Sequence, residues 1–293
     1  MPIHVIPLAD PERSDASHRL AWLAADESGV PLGTAFLRLF TRAGQDHLAE
    51  LELHVHPAER RKGVGSQLLD AAVSAARSDG RRSVVAQADA GTPGDPFLRA
   101  KGLRKVLTLT NARLPLSDVD AGTLTRITEQ PHPGYRLVAW DGTVPDDLAD
   151  TFVASRHAMD DMPMDDTDYG TVVWDVERVR GAAEVIAQRG DLLHTVAAVD
   201  ESDGSIVGFS ELVVPGDGSG DGQHYGTGVL PAHRGRGLAL RMKADAIRWA
   251  RRSHPGLGGL LTDTADSNPY MRRINDVLGY RPTHVSLSFQ LDL

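Results

Sequence analysis

Hydrophobic and polar residues alternate along "AELELHVHP", residues 49 to 57, with Leu51, Leu53 and Val55 on one side and polar residues between them. That is the period of a half-buried strand. Pro57 closes the run, because a residue without an N–H does not continue in a paired central strand. A turn follows, and then Val64, Leu68, Leu69 and Ala72 recur at helical spacing. The same order returns far down the chain. "HYGTGVLP" closes on Pro231, a glycine-rich turn follows, and Leu238, Met242, Ile247 and Trp249 carry the helical pattern. Pro57 answers Pro231, Arg60 answers Arg234 and Gly63 answers Gly237, each at an offset of 174 positions. Farther on, "AKGLRKV" around Gly102 answers "VLGYRPT" around Gly279 at an offset of 177. Two collinear matches at nearly constant offset identify a tandem of one strand–loop–helix module.

The pattern also predicts how the copies differ. "YRLVAW" at Tyr135 reads as the first strand of the second module, "TFVASRHAM" and "DVERVRGAAEVIAQRG" as helices, and "LLHTVAAVD" with "SIVGFSELVVP" as a hairpin. The first module reaches its proline at residue 57, whereas the second travels much farther to its own, so the first has lost the helices between its opening strands. Residues 117 to 134, "SDVDAGTLTRITEQPHPG", show no steady period and many turn formers, which predicts a linker. The expected modules are residues 1–125 and 130–293.

Composition narrows the function classes. The 293 residues suffice for two cores. A hydrophobic content of 41% without any run of membrane-spanning length predicts a soluble protein with no membrane partner. The start "MPIHVIPLADPERSD" lacks the basic residues and long apolar stretch of a secretory leader, which predicts a cytoplasmic location. With no cysteine, disulfides, thiolate metal sites and a cysteine nucleophile are excluded. His54 and His56 share a strand face but have no third partner in view, so no metal is expected. A net charge of −9 opposes binding to nucleic acid, which needs clustered cations.

The chemistry concentrates at "PAHRGRGLALRMKADA", residues 231 to 246. A helix start leaves backbone N–H groups unpartnered and partially positive. Gly235 and Gly237 let that backbone approach an anion closely, and Arg234 and Arg236 add charge, a combination suited to a pyrophosphate. The spacing is neither G-x-G-x-x-G nor a loop ending in G-K-[S/T], so hydride transfer and nucleoside triphosphate hydrolysis lose support.

These residues resemble motif A of the GCN5-related N-acetyltransferases, [Q/R]-x-x-G-x-[G/A]: Arg234, Gly237 and Ala239 fit it in the second copy, and Arg60, Gly63 and Gly65 in the first. "TDTADSNPYMRRINDVLGY", residues 262 to 280, is similar to the family's motif B. The resemblance implies an α+β fold of two tandem modules, each a mixed, mostly antiparallel sheet flanked by helices and splayed between its fourth and fifth strands. It implies acetyl coenzyme A as co-substrate and no metal, with direct transfer to the amine of a small molecule in a ternary complex. The pyrophosphate would lie on the amides of Gly235, Arg236, Gly237, Leu238 and Ala239, with Arg60, Lys62, Gly63 and Gly65 as the first-copy counterparts. Backbone near Thr227 and Val229 would align pantetheine, and Asn268 with Asn275 would support the thioester.

The family often places a tyrosine acid seven residues after the motif B asparagine; here that position is Asn275, and Leu98 in the first copy. Leu98 cannot hydrogen-bond, so the second module is expected to be catalytic and the first degenerate. For the base, the family often uses the fourth strand, which points to His224, with Glu211 in reserve; the first copy has Glu50 in place of the histidine. "MDDMPMDDTDYG", residues 159 to 170, carries five aspartates and would favour a cationic acceptor, or else form a solvated acidic loop. Two alternatives remain open: a tandem that binds acyl coenzyme A without turnover, and an acyltransferase acting on a protein or with a larger acyl donor.

Overall fold

The structure, a computed structural model, describes residues 2–9 and 17–293. The first part of the chain forms β1 (His4–Leu8), β2 (Ser17–Ala25), β3 (Pro31–Phe40), β4 (Leu48–Val55), α1 (Val64–Ser78), β5 (Ser83–Asp89), α2 (Gly94–Ala100) and β6 (Arg104–Pro115). The rest forms α3 (Ala121–Glu129), β7 (Tyr135–Asp141), α4 (Ala149–Ser155), α5 (Val176–Gln188), β8 (Asp191–Asp200), β9 (Ile206–Pro215), β10 (Gly220–Val229), α6 (Leu238–Ser253), β11 (Leu257–Ala265), α7 (Pro269–Leu278) and β12 (Arg281–Asp292). Each proline named above ends its strand and opens a single 3₁₀ turn, Pro57–Glu59 or Pro231–His233.

Two compact units result, and neither is a linear half of the chain. One holds Met1–Thr108, Met164–Val173 and Val285–Leu293; the other holds Leu109–Pro163 and Trp174–His284. In the first, β1, β2, β3 and β4 pair antiparallel in sequence order, β4 pairs parallel with β5, and β5 pairs antiparallel with the end of β12. In the second, β7, β8, β9 and β10 repeat that antiparallel series, β10 pairs parallel with β11, and β11 pairs antiparallel with the end of β6. The sheets are therefore mixed and mostly antiparallel, as the resemblance implied. The division at 125 and 130 gives way to an exchange, in which the last strand of each copy completes the sheet of the other. Duplicated modules present equivalent open edges beside the parallel strand, so a strand from either copy satisfies the hydrogen bonds of that edge.

Helix packing follows the sequence pattern. Leu68, Leu69 and Ala72 of α1 lie in the core of the first unit with Leu37, Leu51 and Phe289. In the second unit Met242, Ile247 and Ala250 of α6 meet Leu212, Val214 and Leu260 on one face of the sheet. Phe152 of α4 and Val179 of α5 meet Ala197 and Phe209 on the other. Among the described residues of the first unit, no helix lies between β1 and β4. The stretch expected as a linker contains α3: Asp120 accepts from the N–H groups of Gly122 and Thr123 at 3.0 and 3.1 Å, and Leu124 and Ile127 are buried in the second unit's core. The apolar period was masked because only those two positions of a short helix are large and apolar.

Candidate functional site

In the second unit, β10 and β11 stay paired only from Gly220 with Leu257 to Gln223 with Leu261. Beyond that point β11 continues against β6 through Ala265, and β10 continues against β9 through Val229. The two strands part, and the β10 edge facing the gap carries backbone groups without a ladder. A register shift between His224 and Gly226 leaves Tyr225 as the extra residue of a bulge where the gap begins. The first unit has the same geometry, with β4 and β5 paired only from Leu48 with Ser83 to Leu51 with Ala86.

The wide end of the gap meets the glycine turn. Gly235 and Gly237 both have φ of 76°, which costs a side chain roughly 1–2 kcal/mol and glycine little. Gly237 is the N-cap of α6 and brings no capping side chain, so the first-turn amides, including those of Leu238 and Ala239, stay available to an external acceptor. Nothing lies within 4 Å of where a Cβ on Gly235 would sit. Arg236 is exposed and stacks over Tyr135 at 5.5 Å. This cradle fits a diphosphate. Arg234 does not join it. Its Nε donates to Val229 O at 2.8 Å and its two terminal nitrogens donate to the Asp161 carboxylate at 2.6 Å each, which holds that carboxyl below its usual range. Arg234 therefore braces the turn rather than meeting the anion.

The narrow end is lined by buried polar groups. His224 is 6% exposed, both of its ring nitrogens lack partners, and its ring lies edge-on to Tyr280 at 6.0 Å. Burial, then the charge of Lys243, hold its imidazole neutral well below the usual histidine range. Protonating it would create a second cation in the same interior, so the expected role of His224 as general base meets a physical obstacle. Asn275 is also buried: Oδ1 accepts from Lys243 Nζ at 2.8 Å and Nδ2 donates to Thr264 Oγ1 at 2.9 Å. Asn268 accepts from Met271 N at 3.1 Å as the N-cap of α7. Both asparagines, expected at the thioester, are occupied in framework bonds. Thr227 Oγ1 bonds Ser210 Oγ at 2.8 Å, and Val229 pairs with Gly208, which leaves their strand edge as the part that faces the gap.

The opposite face of the sheet carries a different group, from β9 beside Gly226 of β10. Glu211 is buried and takes a two-pronged bond from Arg156, with Nη1 to Oε2 at 2.9 Å and Nη2 to Oε1. The guanidinium lies over Phe152, Trp174 and Phe209 at 4.8, 4.7 and 4.5 Å. Gly226, just past the bulge, leaves room beside Glu211, because a Cβ there would lie 3.7 Å from Oε2. Gly228 is required for packing, since its Cβ would meet Ala158 Cβ at 2.9 Å.

The first-unit counterpart is more closed. Arg60 Nε donates to Val55 O at 3.3 Å, as Arg234 does to Val229, and Gly63 caps α1 with φ of 93°. Arg61, at the position of Gly235, is held at φ of 65°, and Lys62 pairs with Glu59 at 3.1 Å. A Cβ on Gly65 would lie 3.2 Å from the Phe97 ring and 3.5 Å from the Val55 side chain at the end of β4. His56 accepts from Ala58 N at the turn. The acidic stretch does not line one site. Asp161 holds Arg234 in the second unit, whereas Met164–Val173 belongs to the first, where Asp168 lies 3.3 Å from His47.

Lys243, Arg156 and Tyr280 were not legible as site residues. Lys243 left a signal: it falls with Ala246, Ile247 and Ala250 on the buried stripe of α6, a lysine in an apolar period.

The model of the "Acetyltransferase (GNAT) family" matches residues 4–100 and 159–280. A mycothiol acetyltransferase of Nocardia farcinica is 29% identical over 270 residues, covering 91% of this chain and 81% of that protein. Among solved structures, a tandem GNAT protein from the clavulanic acid biosynthesis pathway superposes with a TM-score of 0.78 at 20% identity, covering 99% of this chain and 98% of that one. A GCN5-related N-acetyltransferase from Sphaerobacter thermophilus superposes with a TM-score of 0.65 at 18% identity, covering 93% and 80%.

Proposed function

Because the chain belongs to the acetyltransferase (GNAT) family, we propose that its second unit transfers an acetyl group from acetyl coenzyme A to the amine of a small molecule, in the cytoplasm and through a ternary complex. The observation that carries this reading is the continuous path from the uncapped start of α6, along the unpaired edge of β10, to the bulge at Tyr225. Bound acetyl coenzyme A supplies the activated acyl group as a thioester. Amides 235 to 239 hold the diphosphate, Arg236 adds charge, and the β10 edge from His224 to Val229 offers backbone bonds to the amide-bearing arm. The similarity to mycothiol acetyltransferases supports a small-molecule acceptor.

The acceptor approaches from the face covered by α4 and α5, which the first unit lacks among its described residues. Glu211 is the carboxylate on that face beside the bulge, and Arg156 with its aromatic surround fixes its orientation. We assign it the acceptor's ammonium and, through water, its departing proton. His224 points to the α6 face beside Lys243 and is not assigned that role. The first unit is a degenerate copy whose turn is stiffened by Arg61 and whose helix start at Gly65 is crowded by Phe97.

Thiol release from acetyl coenzyme A, measured with the intact chain and a panel of small amines, tests the reading. Amine-dependent release is expected, with Glu211→Gln lowering it by about 100-fold or more and His224→Ala by less than Glu211→Gln. Binding of acetyl coenzyme A with no release for any amine would favour a ligand sensor and overturn the enzymatic reading.

A further inference from the structure

The closed end of the gap contains groups that the reading above leaves idle. His224 and Thr262 are the first residues of β10 and β11 past their last pair, so they flank the point of divergence. Lys243 rises from α6 beneath that point and is 1% exposed. Its Nζ lies 2.8 Å from Asn275 Oδ1, 3.4 Å from Thr262 Oγ1 and 5.1 Å from the centre of the Tyr280 ring. Among the described residues it makes no ion pair. The titratable groups that act on this site are His224 from β10, Asp263 from β11 and Tyr280 beyond α7.

A buried ammonium with neutral partners carries a desolvation cost that nothing here offsets fully. Nearby, both His224 nitrogens and the Tyr280 hydroxyl are buried without partners. Native interiors seldom leave such atoms unpaired unless another species completes them. A buried cation beneath the point where the strands part, offset only by the longer-range charge of Asp263 and with unpartnered polar atoms around it, is complementary to an anion that exists there only during reaction. The five steps along β10 from His224 to Val229, beside the diphosphate turn, span about 17 Å at the rise of a strand. The atom at the far end of an extended arm held at that turn is the sulfur.

We propose that Lys243 is the group that stabilises and protonates the thiolate leaving from acetyl coenzyme A. This rests on the reading of the second unit as an acetyltransferase. Lys243 gives one ammonium proton to the sulfur as the C–S bond breaks and its electron pair settles there, while the new C–N bond forms. The acceptor's own proton leaves past Glu211, and the neutral Lys243 amine regains a proton from solvent when the product leaves. Burial brings Lys243 down to about 7, so it is an acid of matched strength near neutral pH. Tyr280 and Asn275 hold the lysine in place.

The test needs only free coenzyme A and the intact chain. The far-ultraviolet absorbance of the thiolate is followed against pH for coenzyme A in solution and bound. A free thiol ionises near 8.5; the bound thiol is expected to ionise at least one pH unit lower, giving about tenfold more thiolate near neutral pH. Lys243→Met and Lys243→Gln, checked for folding by thermal melting, are expected to bind coenzyme A without that shift and to lose about 100-fold in kcat with little change in KM for acetyl coenzyme A. Wild-type protein that binds coenzyme A and acetylates amines, yet leaves the thiol ionising as in solution, overturns the role of Lys243 alone. So does a folded variant that keeps the shift. Wild-type protein that fails to bind coenzyme A overturns the acetyltransferase reading as well.

Discussion

His224 and Lys243 share one interior on the α6 face, and that sharing shapes the response to pH. Lys243 has its proton affinity lowered from 10.5 to about 7 by burial. Between pH 7 and 10.5 the unfolded chain therefore binds more protons than the folded one, and stability rises with pH across that window. His224 is lowered too, so stability is lost as pH falls below 6.5. Tyr280 is raised by burial, so stability falls again above pH 10. Denaturant melts from pH 5 to 11 are expected to show a maximum on the alkaline side of neutrality, and Lys243→Met is expected to flatten the rise between pH 7 and 10. A flat wild-type profile over that range would contradict the lowered proton affinity of Lys243. Sequence showed which residue types stand at these positions but not their pairing. His224, Asn275 and Asn268 were legible as polar residues on the right elements, yet whether each faces the gap, a lysine or its own helix depends on contacts with residues far away in the chain.

Elements formed where local signals were strong. Pro57 and Pro231 end strands, and Gly63 and Gly237 open helices in left-handed conformation. The strand and helix patterns on either side follow from period alone. Helix α3 escaped because its apolar face rests on Leu124 and Ile127 within a stretch of turn-forming residues, and its start depends on the Asp120 side chain. Asp120→Ala is expected to cost about 1 kcal/mol by removing two bonds to orphan amides, measured by urea denaturation. No change would mean that packing against α6 alone maintains the helix. The bulge in β10 was likewise hidden. It is a mismatch between two strands, and Gly226 and Gly228 acquire meaning only when Glu211 and Ala158 are beside them.

At the scale of the molecule, the exchange of last strands decides what folds. Residues 130–293 lack the β6 segment that pairs with β11 and carry the β12 segment that pairs with β5, so one edge is left open and one strand left over. That fragment is expected to aggregate or lack a cooperative transition. Residues 1–116 and 117–293 expressed together are expected to assemble, since between them they supply both exchanged strands. A soluble 130–293 fragment with a sharp melt would show that the exchange is dispensable. By itself the sequence determined that the chain is duplicated and that each copy turns from strand to helix through a glycine corner. These properties reside in neighbouring residues and in backbone conformations that only certain residues adopt. Tertiary structure alone decided which sheet each last strand joins, that Arg234 spends its charge on Asp161, and that a lysine lies beneath the point where β10 and β11 part. Each of those depends on groups distant in sequence meeting inside a low-dielectric interior, where a pairing changes both charge and reach.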